Sequence, residues 1–295
     1  MPPKESSATD MTRRMVCGGI AGMIAKTATN PLDRIRMLAQ TGEHGGNSSG
    51  KVLDLYSRII KQEGVLGLWA GNGANLLRVF PSKAVVFSSN DFYKTSLRRL
   101  FNIDPDQPLS GPFSFLAGGL SGMTATALTY PLDLARGRIT GKLASSPQQK
   151  HYSGIVATIL LTAREEGIFA LYRGVTPTLI GAMPYEGIKF GTVGVLEKVL
   201  LKPDEKPSPF QKMCFGGAGG VMAGLLTYPN DTVRRLLQLQ GSRGTTVKYE
   251  GYLDCVRQTY RQHGIGRFYR GVVLNIVRMA PNTAIQFGSY EFLKQ

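Results

Sequence analysis

Three copies of one charged pattern run through the sequence: Pro31-Leu32-Asp33-Arg34-Ile35-Arg36, Pro131-Leu132-Asp133-Leu134-Ala135-Arg136 and Pro229-Asn230-Asp231-Thr232-Val233-Arg234. Each reads Pro-x-Asp-x-x-Arg. An acid and a base three residues apart share one face of a helix, so three such faces turned inward can join in a ring, each arginine meeting a neighbouring helix's aspartate. A proline inside a helix removes a backbone hydrogen bond and bends the axis, so three prolines at one depth draw three helix ends together. The chemistry on offer is a closure rather than a reaction. The copies begin 100 and then 98 residues apart, so they are repeats and not chance matches.

A second group of side chains departs from that symmetry, and all of its charges are positive. Counting from the glycines that close each repeat's middle element (Gly71, Gly174 and Gly271), the seventh residue on is Arg78, Gly181 and Arg278. Five residues ahead of the motif prolines stand Lys26, Thr126 and Gly224. Lys26, Arg78 and Arg278 therefore form a candidate cation cluster, too costly in lipid to persist without an anionic ligand or partner, and phosphate fits best. Gly181 and Ala182 leave room for a flat group, and Tyr185, one turn on, can stack on it or hydrogen-bond to it. A base at one end and phosphates at the other describe a nucleotide. Ordinary helix packing by Gly181 and Tyr185 is the competing reading.

The elements that must carry these residues follow from a second repeated pattern. Glu63-Gly64 with Trp69 and Gly71, Glu166-Gly167 with Tyr172 and Gly174, and His263-Gly264 with Tyr269 and Gly271 stand at matched distances after the charged motifs. Ten residues past each closing glycine comes Pro81, Pro184 or Pro281. Each unit reads as a long helix ending just past its charged motif, a loop, a short amphipathic helix and a second long helix. The short helices are expected near Leu53 to Gln62, Ile155 to Glu165 and Leu253 to Gln262. The prediction is an all-α membrane protein of one structural domain: a polar tail over 1–10, then repeats over 11–106, 107–206 and 207–295.

Phe113 to Leu132 runs twenty residues without a charge and Met213 to Asn230 runs eighteen, close to the length that crosses a bilayer core. Their Gly, Ala and Thr content suits close helix packing in lipid. Other candidate spans contain Lys26, Arg78, Glu186 and Arg278. Six spans place both termini on one side, with the three short helices lying along the opposite membrane surface. Lys and Arg outnumber Asp and Glu by 35 to 20, which favours an anionic partner.

The threefold Pro-x-Asp-x-x-Arg pattern resembles the hallmark of the mitochondrial carrier family, over nearly the whole chain from about Met11 to Gln295. That resemblance implies a monomeric six-helix barrel with pseudo-threefold symmetry in the mitochondrial inner membrane, or in the membrane of a related organelle. It works by alternating access, without cofactor or metal. It implies a matrix gate of Asp33 with Arg136, Asp133 with Arg234 and Asp231 with Arg36. Gln40 and Gln238 are braces, and Thr140 replaces the brace of the second repeat. It implies a cytoplasmic gate of Asp91, Lys94, Glu291 and Lys294, weakened because the second repeat has Gly194 and Glu197 where an acid and a base belong. Gly71, Gly174 and Gly271, with Arg173 and Arg270, are the implied cardiolipin sites at helix N-termini; interfacial anchoring by Trp69, Tyr172 and Tyr269 is the alternative.

The positions of Arg78, Gly181 and Arg278 are those at which the family contacts its solute. Lys26-Thr27, Gly71-Asn72-Gly73-Ala74-Asn75 with Arg78, and Asn275 with Arg278 resemble the adenine-nucleotide and coenzyme A branches. Arg234-Arg235 is followed by Leu236-Leu237-Gln238, not by the third arginine and three methionines of the ADP/ATP carrier, and the calcium-binding extension of ATP-Mg/phosphate carriers is not expected. The expectation is antiport of ATP, ADP or AMP, with coenzyme A or adenosine 3',5'-bisphosphate as the second choice.

Other classes fit less well. Nucleic-acid recognition would use the same positive charge, but no zinc spacing or recognition-helix pattern accompanies it. His44, His151 and His263 have no repeated acid or nucleophile beside them, which argues against an enzyme. Cys17, Cys214 and Cys255 are odd in number and far apart, and indicate no disulfide framework. A carrier-like scaffold that has lost transport remains the alternative from another class.

Overall fold

The structure, a computed structural model, describes residues 8–41, 49–104, 111–141, 154–201, 208–242 and 249–294. The first repeat runs α1 (Ala8–Thr41), α2 (Ser49–Glu63), a 3-10 turn (Val65–Trp69) and α3 (Asn72–Leu100). The second runs α4 (Gly111–Thr140), α5 (Ile155–Glu166), a turn (Ile168–Tyr172) and α6 (Val175–Leu200). In the third, α7 (Pro209–Leu226) and α8 (Tyr228–Leu239) together replace the first long helix, and α9 (Tyr252–His263), a turn (Ile265–Tyr269) and α10 (Val272–Lys294) follow.

The closing glycines make this repeat possible. Gly71, Gly174 and Gly271 adopt φ of 84°, 87° and 79°, the left-handed region open to glycine at little cost. They turn the chain out of each 3-10 segment into the next long helix. A side chain at Gly71 would also collide with Thr140 of α4, so the second requirement is a close approach between repeats. Pro31, Pro81, Pro131, Pro184 and Pro281 lie inside their helices, whereas Pro229 follows a break at Thr227 between α7 and α8.

Each repeat holds its short helix and turn to its first long helix through one small apolar core. Ile35, Leu38, Ile59 and Leu68 form it in the first repeat. Tyr130, Leu134 and Leu171 form it in the second, and Val233, Leu237, Cys255 and Phe268 in the third. The expected interfacial aromatics are tied into this layer: Trp69 Nε1 donates to the Thr27 carbonyl at 2.8 Å, and Tyr172 and Tyr269 stack on Tyr130 and Tyr228.

The long helices close a ring in the order α1, α3, α4, α6, α7–α8, α10, and the last packs back on α1. The most extensive seams are between repeats, α3 with α4, α6 with α7, and α10 with α1. At one end α1, α4 and α8 also touch one another, and there the charged motifs meet. Among the described residues, however, no helix is long and apolar enough to cross a membrane. The uncharged Phe113 to Leu132 run shows why, since Gly118, Gly119, Ser121, Gly122, Thr124, Thr126 and Thr129 dilute its apolar content.

Candidate functional site

Where α1, α4 and α8 converge, three arginine–aspartate pairs link the repeats. Arg36 Nη2 lies 2.6 Å from Asp231 Oδ2, Arg136 Nη2 lies 3.5 Å from Asp33 Oδ2, and Arg234 Nη2 lies 3.5 Å from Asp133 Oδ2. The first is the tightest, and Arg36 also sits 5.4 Å over the Tyr228 ring. The helical spacing of the motif explains the ring, because each aspartate and arginine share one helix face.

Of the two expected braces, only Gln40 reaches a carboxylate: its Nε2 donates to Asp231 Oδ2 at 3.4 Å and to Thr232 Oγ1 at 2.9 Å. Gln238 instead donates to the Tyr130 hydroxyl at 3.2 Å and accepts from Arg235 at 3.3 Å. The Tyr130 hydroxyl faces that amide across the α4–α8 seam and takes it. Thr140 donates to the Ala70 carbonyl at 3.5 Å.

Every aspartate of this ring has a second arginine. Arg278 Nε lies 3.0 Å from Asp33 Oδ1, and Arg78 Nη1 lies 2.5 Å from Asp133 Oδ1. Gly181 stands at the equivalent position of the second repeat and cannot supply a third, so Asp231 takes its second cation from Arg235 on its own helix, at 3.7 Å. Six arginines therefore surround three carboxylates. Lys26 adds another positive charge, within electrostatic reach of Asp33 and Arg278. Of the expected cations, Arg78 and Arg278 rest directly on the ring aspartates, and Lys26 lies on the Arg278 side.

The room expected beside Gly181 is occupied. Asn230 Nδ2 donates to the Pro177 carbonyl at 2.7 Å, and a Cβ built at Gly181 would overlap that amide nitrogen. The cause is one residue: the third repeat has Asn230 where the others have Leu32 and Leu132. Ala182 nearby is exposed and Tyr185 is half-buried.

At the other end of the ring, Asp91 is exposed and Lys94 half-buried, and no ion pair joins them among the described residues. The side chains of Glu291 and Lys294 lie outside the described residues. The α3–α4 seam is bridged there by Tyr93 and Thr124 hydroxyls at 2.8 Å. Of the residues expected to meet lipid phosphate, Gly174 packs on the Tyr130 hydroxyl and the Arg234 carbonyl, and Gly271 on the Tyr228 hydroxyl and the Arg36 carbonyl. Arg173 pairs with Glu166, whereas Arg270 Nη1 is buried without a hydrogen-bond partner among the described residues.

Sequence reasoning missed the supports beneath the gate. Arg34 pairs with Glu63 at 2.6 Å. Arg138, fully buried, donates to both Glu166 oxygens at 2.6 and 2.9 Å and to the Gln240 carbonyl at 2.8 Å. Arg267 donates to the Gln40 and Thr41 carbonyls at the end of α1, at 3.0 and 3.1 Å. These satisfy C-terminal helix carbonyls that otherwise lack partners. The signal was present: Glu63 and Glu166 recur at the same place in the second repeated pattern, directly before Gly64 and Gly167.

A three-repeat helical ring, joined at one end by arginine–aspartate pairs with arginine in excess, is an arrangement expected of a solute carrier. Comparison with known proteins agrees. The family model described as mitochondrial carrier protein matches residues 7–100, 108–204 and 205–295. The chain is 35% identical to human (Homo sapiens) solute carrier family 25 member 16, covering 96% of this chain and 87% of that one. It is 32% identical to the mitochondrial adenine nucleotide transporter ADNT1 of Arabidopsis thaliana, over 96% and 86%. It is 35% identical to the mitochondrial coenzyme A transporter SLC25A42 of Xenopus tropicalis, over 94% and 83%. The chain belongs to the mitochondrial carrier family and is a transporter.

Proposed function

We propose that this carrier exchanges a phosphorylated anionic metabolite across the mitochondrial inner membrane by alternating access, and that the metabolite is an adenine nucleotide, ATP, ADP or AMP. The observation that carries this reading is the position of Arg78 and Arg278 on Asp133 and Asp33. Both are arginines expected to meet the solute, and both stabilise the closed end.

A phosphate group is a strong, bidentate partner for arginine. When it takes Arg78 and Arg278, Asp133 and Asp33 each keep a single pair at 3.5 Å. The tighter Arg36–Asp231 pair, with Gln40, then holds the closure longest. Partly wet pairs contribute on the order of 1 kcal/mol each. A ligand that binds the open form better by a few kcal/mol is enough to move the population. Binding and gate release are then the same exchange of partners.

Support for a membrane-spanning ring comes from family membership and from helix lengths, since thirty residues of helix extend about 45 Å. It also comes from large apolar side chains exposed on the long helices, Phe87, Phe115, Leu128, Phe190, Val199 and Val277 among them. Asp91 and Lys94, without an ion pair among the described residues, and the paired inner end favour a resting state open to the cytosol. Arg270 and the N-termini of α3, α6 and α10 are the proposed cardiolipin contacts, on a monomer. A coenzyme A or adenosine 3',5'-bisphosphate carrier is the second reading, favoured by the coenzyme A transporter among the relatives; these solutes share adenine and phosphate. A scaffold without transport would not need arginines placed to exchange partners.

The test is thermal denaturation of detergent-purified protein with ADP, coenzyme A or inorganic phosphate. A ligand at a hundredfold its Kd stabilises by about 2.7 kcal/mol, so the preferred solute raises Tm by several degrees. No shift with any phosphorylated solute would contradict the reading.

A further inference from the structure

Two departures from threefold symmetry face each other across the α6–α8 seam. Asn230 replaces the leucine of the other two motifs, and Gly181 replaces the arginine of the other two second helices. The Asn230 amide fills the space that Gly181 leaves. One side of the amide is used, with Nδ2 donating to the Pro177 carbonyl at 2.7 Å. The other is not, since Asn230 Oδ1 is buried with no hydrogen-bond partner among the described residues. A buried acceptor without a donor is unfavourable, and a leucine there, as in the other repeats, would avoid the cost.

We infer that Asn230 reads the base of the carried solute, its side chain being folded against α6 in this form and turned onto the base when the solute binds. The inference rests on the nucleotide reading above and deepens it. Arg78 on α3 and Arg278 on α10 claim the phosphates, so the base falls on the remaining side of the ring, between α6 and α8. A side-chain amide matches adenine specifically: its oxygen accepts from the exocyclic N6 amine while its NH2 donates to a ring nitrogen. On the N6/N7 edge hypoxanthine and guanine present two acceptors, O6 and N7, so the amide oxygen would be left without a donor. Tyr185, one helical turn beyond Gly181, offers a ring for the face of the same base. Turning the amide away from Pro177 also vacates the space beside Gly181. Asn230 is thus a specificity residue, while the arginines supply charge recognition common to all nucleotides.

The experiment compares ADP with inosine diphosphate, which differ at that group and in the proton on N1, as competing substrates in proteoliposomes carrying wild type, Asn230→Leu or Asn230→Ala. If only coenzyme A is carried, adenosine 3',5'-bisphosphate and its inosine counterpart are compared as inhibitors of its uptake. Wild type should prefer adenine by on the order of tenfold, and both variants should still transport with the preference reduced to within about twofold. Asn230→Ala covers the case in which leucine fails to pack. Variants that keep the wild-type ratio would overturn the inference, as would equal loss of both substrates with a lowered Tm, which marks packing alone. If wild type carries and binds no adenine-containing solute, the nucleotide reading itself fails, an outcome distinct from an unchanged ratio.

Discussion

Arg278 on α10 and Asp33 on α1 lie 3.0 Å apart, joining the last helix of the third repeat to the first helix of the first. Arg78 and Asp133 repeat the contact between the first and second repeats. The third seam has no such link, and Arg235 compensates from within α8. The ring is threefold in its acids and twofold in the second arginines that reach them from a neighbouring helix.

The inner pairs should not be equivalent. Arg36→Ala removes the 2.6 Å contact and the packing over Tyr228, a loss of about 2 kcal/mol. Arg136→Ala removes a 3.5 Å contact whose aspartate keeps Arg278, a loss of about 0.5 kcal/mol. Thermal denaturation in detergent should rank Arg36→Ala clearly below Arg136→Ala. Equal Tm values would show that the gate strength is evenly divided.

Beneath the gate, Glu166→Gln should destabilise the protein by about 3 kcal/mol or more, because it leaves the fully buried Arg138 without its countercharge. Arg173 loses the same partner. Denaturation that matches wild type would mean the pair contributes nothing to stability.

The outer end should respond to restored charges. Gly194→Asp with Glu197→Lys writes the missing acid and base into the second repeat, adding about 0.2 to 1 kcal/mol per pair formed and shifting populations several-fold if they add. Gly122→Cys serves as the reporter: it lies eleven residues, three turns, ahead of Asp133 on α4, with nothing within 4 Å of a built Cβ. With Cys17, Cys214 and Cys255 replaced, an impermeant thiol reagent from the cytosolic side should label it faster without the two restoring substitutions. Equal rates would separate the resting state from the missing charges.

The native thiols offer a check on the third repeat's core. Cys255 is buried in the α8–α9 layer, and burial pushes its thiol up to about 12, whereas Cys214 is exposed. At pH 8 iodoacetamide should modify Cys214 and leave Cys255 intact until the protein is denatured. Labelling of Cys255 in the folded protein would show that this layer opens readily.

Much of this was legible because repetition multiplies weak signals. The spacing of Asp33, Asp133 and Asp231 with Arg36, Arg136 and Arg234 allows a ring, the family resemblance supplies which residue meets which, and the closing glycines stand one residue ahead of the helix starts. The membrane reading was less direct, since the uncharged runs owe their character to small residues that pack helices without raising hydropathy. Asn230 was hidden for another reason. Its role depends on a contact with Pro177 and Gly181, about fifty residues away in sequence, and no local pattern records it. Arg267 escaped similarly, and Arg138 in part, because Gln40, Thr41 and Gln240 meet them through backbone carbonyls of other repeats, which every residue type supplies alike.

The central claim is that solute phosphate takes Arg78 and Arg278 from the gate aspartates. Its most direct test is ADP exchange into ADP-loaded liposomes by wild type, Arg78→Ala and Arg278→Ala, with Tm measured on the same preparations. Each substitution removes a charge-assisted phosphate contact of about 1.5 to 3 kcal/mol. Exchange by either variant should therefore fall at least tenfold, and ADP should no longer raise its Tm as it does that of wild type. Exchange at the wild-type rate by both variants, with the ADP-induced Tm rise intact, would contradict it.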